Sequence, residues 1–267
     1  MSDPATALTR NVIPTPWAAL PAIGLDELTE RASLLTRVDR KYLVPTAELT
    51  DLVGGLADDG AQVLEIDGSR TFAYASVYFD TSDLTSYLLA ARRRRRRFKV
   101  RTRTYLDSSQ CWLEVKTRDL RGRTVKHRCA HDLADQASLT PRGAAFADDV
   151  LAGASVTGTE AATLLPTLVT RYDRSTLHLP STGSRVTVDT GLRCTAPDGR
   201  VVDLRDLAVV ETKTTGSASS ADRLLWRSGH RPVAFSKYAT GLAALTPDLP
   251  AARWHRVLSN HLQPAAP

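Results

Sequence analysis

Polar and apolar residues alternate through the middle of the chain with the period of a β-strand. In "FKVRTRTYL" the cations Lys99, Arg101 and Arg103 alternate with Val100, Thr102 and Thr104. Successive strand side chains point to opposite faces, so these three cations share one face, spaced roughly 6.5 Å apart. The same spacing recurs in "WLEVK" (Glu114, Lys116), "RYDR" (Tyr172, Arg174), "SRVTVD" (Arg185, Thr187, Asp189), "VETK" (Glu211, Lys213) and "VDRKY" (Asp39, Lys41). Strands are therefore expected over "RVDRKYLVP", "AQVLEID", "FAYASVYFDT", "FKVRTRTYL", "CWLEVKT", "TVKHRCAH", "LVTRYDRSTLHL", "SRVTVDTGLRC" and "LAVVETKT", with a turn at Asp198-Gly199.

Helical spacing marks "GLDELTERASLLT" and then "TAELTDLVGGL", with Thr46 as its N-cap and Gly54-Gly55 as its stop. Helices are also expected in the Ala-rich stretch from Ser138 to Leu164 and in "SADRLLWRSG", "SKYATGLAAL" and "AARWHRVLSNHL". The fold class is α+β, and no repeat or composition break divides the chain. Residues 1–25, with Pro14, Pro16 and Pro21, read as a tail, and 26–262 as one domain.

A chain of 267 residues with 42% hydrophobic content is long enough to bury a substantial core. No apolar run is long enough for a membrane span, and the N-terminus lacks the pattern of a secretory signal, so a cytoplasmic protein is expected. Cys111, Cys129 and Cys194 are widely spaced and odd in number, which suggests neither a disulfide framework nor a zinc site. The net charge of +6 points to anionic partners.

A sheet with one solvated face would give the same alternation. If the sheet closes, however, alternate residues line a lumen. A lumen of Arg and Lys repels itself unless carboxylates or a bound anion balance it, and a chain of phosphates suits both side chains. The run Arg92–Arg97 precedes the most basic strand and is expected to form a hairpin rim that guides a polyanion. Nucleic acid is disfavoured, because the basic cluster carries only Phe98 and Tyr105 as stacking residues. His127, beside Lys126, reads as a strand-face neighbour and not as a catalyst.

The ordered series "RVDRKY", "YFDT", "KVRTRTY", "LEVK", "TVKHR", "RYDR", "SRVTVDT", "VVETK" and "FSKYATG" resembles the catalytic domain of the vacuolar transporter chaperone (VTC) polyphosphate polymerases. These are triphosphate tunnel metalloenzymes, related to CYTH-type triphosphatases and adenylate cyclases. The resemblance runs from about Arg37 to Gly241. It implies an antiparallel β-barrel tunnel with flanking helices, in which a divalent metal, Mn²⁺ or Mg²⁺, assists phosphoryl transfer from ATP to polyphosphate.

Carried over, Lys41, Arg101, Arg103, Lys116, Lys126, Arg174 and Arg185 would grip phosphate, and Tyr172 would hydrogen-bond it. Lys213 would join the substrate site, Glu211 would bind the metal, and Ser236 with Lys237 would close one end. Two positions depart from the related patterns. Arg37, Asp39 and Lys41 stand where tunnel triphosphatases carry Glu-x-Glu-x-Lys, which fits the polymerase branch better. Ala234 stands where the polymerase tends to have a further Lys. Nothing in the chain resembles the inositol-phosphate-sensing domain or membrane anchor of eukaryotic members, although a membrane-protein partner is compatible with it. An inorganic triphosphatase of the same fold and a non-catalytic polyanion-binding protein are the alternative readings.

Overall fold

A computed structural model describes residues 16–31, 38–119 and 121–262. Arg37, Pro14 and the last five residues of the first expected helix lie outside that range. The strands are β1 (Ala22–Ile23), β2 (Val38–Pro45), β3 (Gln62–Leu64), β4 (Phe72–Asp80), β5 (Lys99–Tyr105), β6 (Gln110–Arg118), β7 (Thr124–His131), β8 (Leu165–Leu179), β9 (Ser184–Thr195), β10 (Val201–Leu204) and β11 (Leu207–Thr214). The helices are α1 (Leu25–Arg31), α2 (Leu49–Ala57), α3 (Thr85–Ala91), α4 (Pro141–Gly153), α5 (Ser220–Arg227), α6 (Lys237–Leu245) and α7 (His255–His261). Among the described residues, no helix is long and apolar enough to cross a membrane.

The sheet runs in the order β2-β11-β9-β8-β4-β5-β6-β7, and every neighbouring pair along it is antiparallel. The antiparallel α+β architecture with flanking helices is thus as expected. The expected barrel does not close by strand pairing, since no ladder joins β2 to β7 among the described residues. Instead the segment before α6 runs along the β2 edge, where the Val233 N–H donates to the Lys41 carbonyl at 2.8 Å. That bond satisfies one backbone acceptor of an edge that would otherwise be an open pairing surface.

The alternation decides which face turns inward. Residues such as Tyr42, Val44, Val186, Val188 and Val210 bury against Leu49, Leu52, Val53 and Leu56 of α2 and Leu225 of α5. Across the other half, Val77, Phe79, Val100, Leu113 and Val115 bury against Ala144, Ala147 and Leu151 of α4. Helices therefore cover the apolar face of both halves. The polar face becomes the concave one, so the reading of an ordinary sheet with one solvated face fails here.

Several local expectations need correction. Thr46 lies inside a 3-10 turn and makes no side-chain cap bond, and α2 runs through Gly54-Gly55 to Ala57. Gly55 serves packing: a Cβ there would lie 2.8 Å from Leu224 Cδ2, so the missing side chain lets α5 approach. The strand expected over "AQVLEID" shrinks to Gln62–Leu64. Helix α3 and strands β1 and β10 were not anticipated. Because α3 precedes the arginines, Arg92–Arg97 connect a helix to a strand and are not a hairpin. His127 turns to the face opposite Lys126, since it pairs with Val115 while Lys126 pairs with Lys116.

Helix α6 packs on the concave side through Tyr238, Leu242 and Leu245, against Leu43, Leu168, Cys194 and Val209. The approach is close: a Cβ on Gly241 would fall 2.8 Å from Cys194 Sγ and 3.2 Å from Leu168 Cδ2. Gly to Ala inside a helix ordinarily stabilises, by roughly 0.5–1 kcal/mol. Here Gly241→Ala is expected to destabilise by about 1–3 kcal/mol through overpacking, and adding Cys194→Ala should recover part of the loss. Urea denaturation reads both effects, and an unchanged or raised midpoint for Gly241→Ala would contradict this close packing.

Candidate active site

Register alone assembles the concave face. On β2 and β11, Asp39 is opposite Lys213 and Lys41 is opposite Glu211. Across to β9, Lys213 meets Arg185, Glu211 meets Thr187, and Asp189 then meets Arg174 of β8. Tyr172 pairs with Tyr74, and through β4 the face reaches Arg101 and Arg103 of β5. It continues as Lys99 opposite Lys116 and Arg101 opposite Glu114, and ends on β7 with Lys126 and Arg128. Every strand cation anticipated from sequence lies on this one face, as do Tyr172, Glu211 and Lys213.

The sheet curls so that its two arms meet across the face. Glu211 on β11 feels the charge of Lys116 on β6, and Lys99 on β5 feels Lys41 on β2. Phe235 and Ser236 bridge the same arms, the Lys41 ammonium donating to the Phe235 carbonyl at 3.3 Å and Lys99 to Ser236 Oγ at 2.9 Å. Ser236 also caps α6 by accepting from the Ala239 N–H at 3.2 Å.

Two buried carboxylates organise the cations. Glu114 accepts from Arg101 Nε at 2.8 Å, with Arg103 Nε at 3.9 Å and Lys126 Nζ at 3.5 Å. Its side chain is 1% exposed. Burial pushes the Glu114 carboxyl up, but Arg101, Arg103, Lys116 and Lys126 outweigh that and hold it well below the usual carboxylate range. Asp189 receives a bidentate fork from Arg174, at 2.6 and 2.8 Å, and a further bond from Lys237. It too is held low, burial being outweighed by Arg174 and Lys237. Neither carboxylate was assigned a site role from the sequence, although alternation put both on the charged face. Lys99 was likewise placed on the face without a role.

The remaining cations are underbalanced. Glu211 lies 3.4 Å from Lys213 Nζ, and Lys213 donates to Thr187 Oγ1 at 3.4 Å. Burial raises the Glu211 carboxyl, but Lys213, Lys41, Arg174 and Lys116 pull it well below the usual range. The Tyr172 hydroxyl is buried without a hydrogen-bond partner among the described residues. Burial raises that phenol, yet Arg103, Arg174 and Lys237 together bring it below its ordinary value. A donor aimed at a cation cluster with no protein acceptor is a place for an anion. Among the described residues, no group of three or more His, Cys, Asp or Glu side chains converges, so any metal here would rest on few protein ligands.

Burial and the neighbouring Lys41 and Arg101 push Lys99 down to about 7. Burial also lowers Lys213, to about 8, with Arg174 adding to the fall against the support of Glu211. Both titrate below the unfolded lysine value near 10.4. Between about pH 7 and 8.5 the unfolded chain therefore holds more protons, and stability is expected to rise with pH. Sulfate, which favours the charged lysines, should flatten that rise, and so should Lys99→Gln. Urea midpoints at the two pH values, with and without sulfate, read the effect; stability falling with pH in the absence of sulfate would contradict it.

The VTC domain family model matches residues 36–246. No curated protein sequence matches. Among solved structures, an adenylate cyclase candidate from Bacillus halodurans is similar at 15% identity and TM-score 0.49, covering 75% of this chain and 94% of that one. A Hippeastrum adenylyl cyclase candidate, described as having a dominant triphosphatase activity, is similar at 15% identity and TM-score 0.47, covering 77% of this chain and 94% of that one. An adenylate cyclase candidate from Vibrio parahaemolyticus follows at 11% identity and TM-score 0.41, covering 73% and 87%.

Proposed function

This chain belongs to the VTC domain family, and from that premise we propose that it transfers phosphoryl groups on its concave face, building polyphosphate from ATP. The observation that carries the reading is the single continuous face on which Lys41, Arg101, Arg103, Lys116, Lys126, Arg174 and Arg185 converge from six strands. Adjacent same-face residues lie roughly 6.5 Å apart along a strand, wider than the step between neighbouring phosphates, so cations from several strands together would serve an extended chain.

Phosphoryl transfer asks the protein mainly for position and charge neutralisation. Arg101 and Arg174 are fixed through Nε and Nη2 by Glu114 and Asp189, and would turn their remaining guanidinium N–H groups to non-bridging oxygens. Lys41, Lys99, Lys116 and Lys213 supply compact charges that follow the phosphates as charge shifts toward the leaving bridging oxygen. Tyr172 donates its free hydroxyl, and Lys237 closes the site from the α6 side. The acceptor is a terminal phosphate already ionised near neutral pH, so no general base is required. Glu211 would be the protein carboxylate that holds a divalent metal, Mn²⁺ or Mg²⁺, with the substrate phosphates, a donor set usual for Mg²⁺ with nucleotides. When bound, the metal withdraws charge from the phosphate oxygens.

Purified protein incubated with ATP and Mn²⁺ is expected to make chains that resolve as a ladder on a gel. Release of orthophosphate alone, from ATP or tripolyphosphate, would instead favour the hydrolytic reading, and neither product would favour a polyanion-binding protein. Glu211→Gln should abolish turnover at low Mn²⁺, recover part of it at high Mn²⁺, and leave metal-free phosphate binding intact. Near-normal turnover across the metal titration would remove Glu211 from the metal site and leave it as a charge partner of Lys213.

A further inference from the structure

We propose that the concave face continues past its lysine end into a second polyanion site, built from Arg93, Arg97, Arg118 and Arg253, which holds polyphosphate lying outside the lumen. The site rests on the reading that the lumen handles phosphate chains. Its geometry follows from the strand ends. Lys99 and Lys116 are register partners. Arg97 comes two residues before Lys99, and Arg118, two residues beyond Lys116, is the last residue of β6 and pairs with Thr124. Arg253 arrives from the C-terminal region and donates to the Ala90 carbonyl of α3 at 3.0 Å, which fixes it beside the arginine run.

No carboxylate lies within ion-pair distance of these four side chains among the described residues. Their bonds go to backbone carbonyls: Arg97 to Arg94 at 2.8 Å, Arg118 to Gly122, and Arg253 to Ala90. What they feel is one another. Burial lowers Arg97 to about 10, helped by Arg118 and Arg253, and Arg253 is lowered by burial and then by Arg93 and Arg118. Arg97 and Arg253 also act on Lys99, so the cluster is electrostatically continuous with the lumen.

Backbone conformation adds an independent observation. Arg93 has φ 54° and occupies the left-handed position that ends α3. The Arg93 N–H donates to Ala90 at 3.2 Å and the Arg94 N–H to Leu89 at 2.9 Å, the paired bonds of a Schellman motif. Glycine is the unstrained residue there. An arginine at this place gives up stability for charge, as strained backbone at functional sites commonly does.

The chemistry selects the ligand. Guanidinium forks suit phosphate oxygens, and a flexible chain with charge on every unit can pass from Lys99 and Lys116 to the arginines. Single-stranded nucleic acid would want exposed rings to stack on, whereas Phe98 and Trp254 beside the cluster are buried.

Binding is measured without ATP or metal, using tripolyphosphate, polyphosphate of about 100 units and single-stranded RNA of similar charge. Arg97→Gln/Arg118→Gln is expected to weaken long polyphosphate about tenfold, to reduce the logarithmic salt slope by about 1 to 1.5, and to leave tripolyphosphate within about twofold. Arg93→Gly should weaken long polyphosphate while raising the melting temperature by about 2–4 °C, a combination that a purely structural role would not produce. Unchanged long-chain binding, or equal loss of both phosphate ligands, would overturn the proposal. So would RNA that binds as tightly with the same arginine dependence. If the wild type makes no polymer yet its long-chain binding depends on these arginines, the polymerase reading alone fails; normal synthesis with arginine-independent binding removes this site alone.

Discussion

Repulsion between like charges on an enclosed face is the constraint from which the rest of the structure follows. An Arg or Lys row on an open surface is screened by water and salt within about 8–10 Å. Here the row faces inward, and its members meet across the curl, Lys116 with Glu211 and Lys99 with Lys41. Glu114 and Asp189 relieve part of the repulsion by each holding more than one cation. Both are nearly inaccessible to solvent, and removing either would leave its cations unpaired in a poorly solvated place. The unrelieved remainder appears as lysines that give up protons readily and a tyrosine that keeps a free hydroxyl. An anion with several charges removes all of these penalties together.

Such a face survives only if the rest of the chain encloses it. The apolar side of each strand supplies the driving force by burying against α2, α5 and α4, and every strand then presents its charged side to the concavity. The ladder shifts register between Arg171 and Asp173 on β8 and between Tyr78 and Phe79 on β4. Irregularities of this kind bend and twist the strand that carries them. They lie in the middle strands, where a bend brings the outer arms toward each other. α6 fills the apolar part of the concavity, and Ser236 and Lys237 at its start stand next to the charged part.

Much of this was legible as alternation, because a strand with period two declares which residues share a face whatever its partners are. That is why Arg101, Arg103, Lys116, Arg174, Glu211 and Lys213 could be grouped from sequence. Strand order, and hence which face meets which across the curl, depends on long-range pairing that no local pattern encodes. Alternation put Glu114 on the face of Lys116, two residues on, but its bond to Arg101 emerged only from β5–β6 register. Helix α3 escaped notice because its seven residues are dominated by neighbours. Asp80 holds its first turn by accepting from the Ser86 and Tyr87 N–H groups and also from the Tyr238 hydroxyl of α6. Gly54-Gly55 misled for the opposite reason: glycines commonly stop a helix, but here the helix continues and Gly55 makes room for Leu224 of α5.

The way the open edge is closed has a consequence for binding. The segment that covers β2 is also the one whose Phe235 carbonyl and Ser236 hydroxyl engage Lys41 and Lys99. An ammonium carries three donors, so each of these lysines can keep its bond to the segment while directing the others at a phosphate. Closure and anion binding therefore do not compete for the same atoms. Protonation couples them in a favourable sense: a bound anion favours the charged form of Lys99, and a charged Lys99 donates more strongly to Ser236, which in turn caps α6. A strand ladder in place of this segment would have closed the barrel more rigidly, but its backbone groups would have been spent on pairing. With a side-chain clasp instead, the enclosure tightens on the charge that it is built to hold.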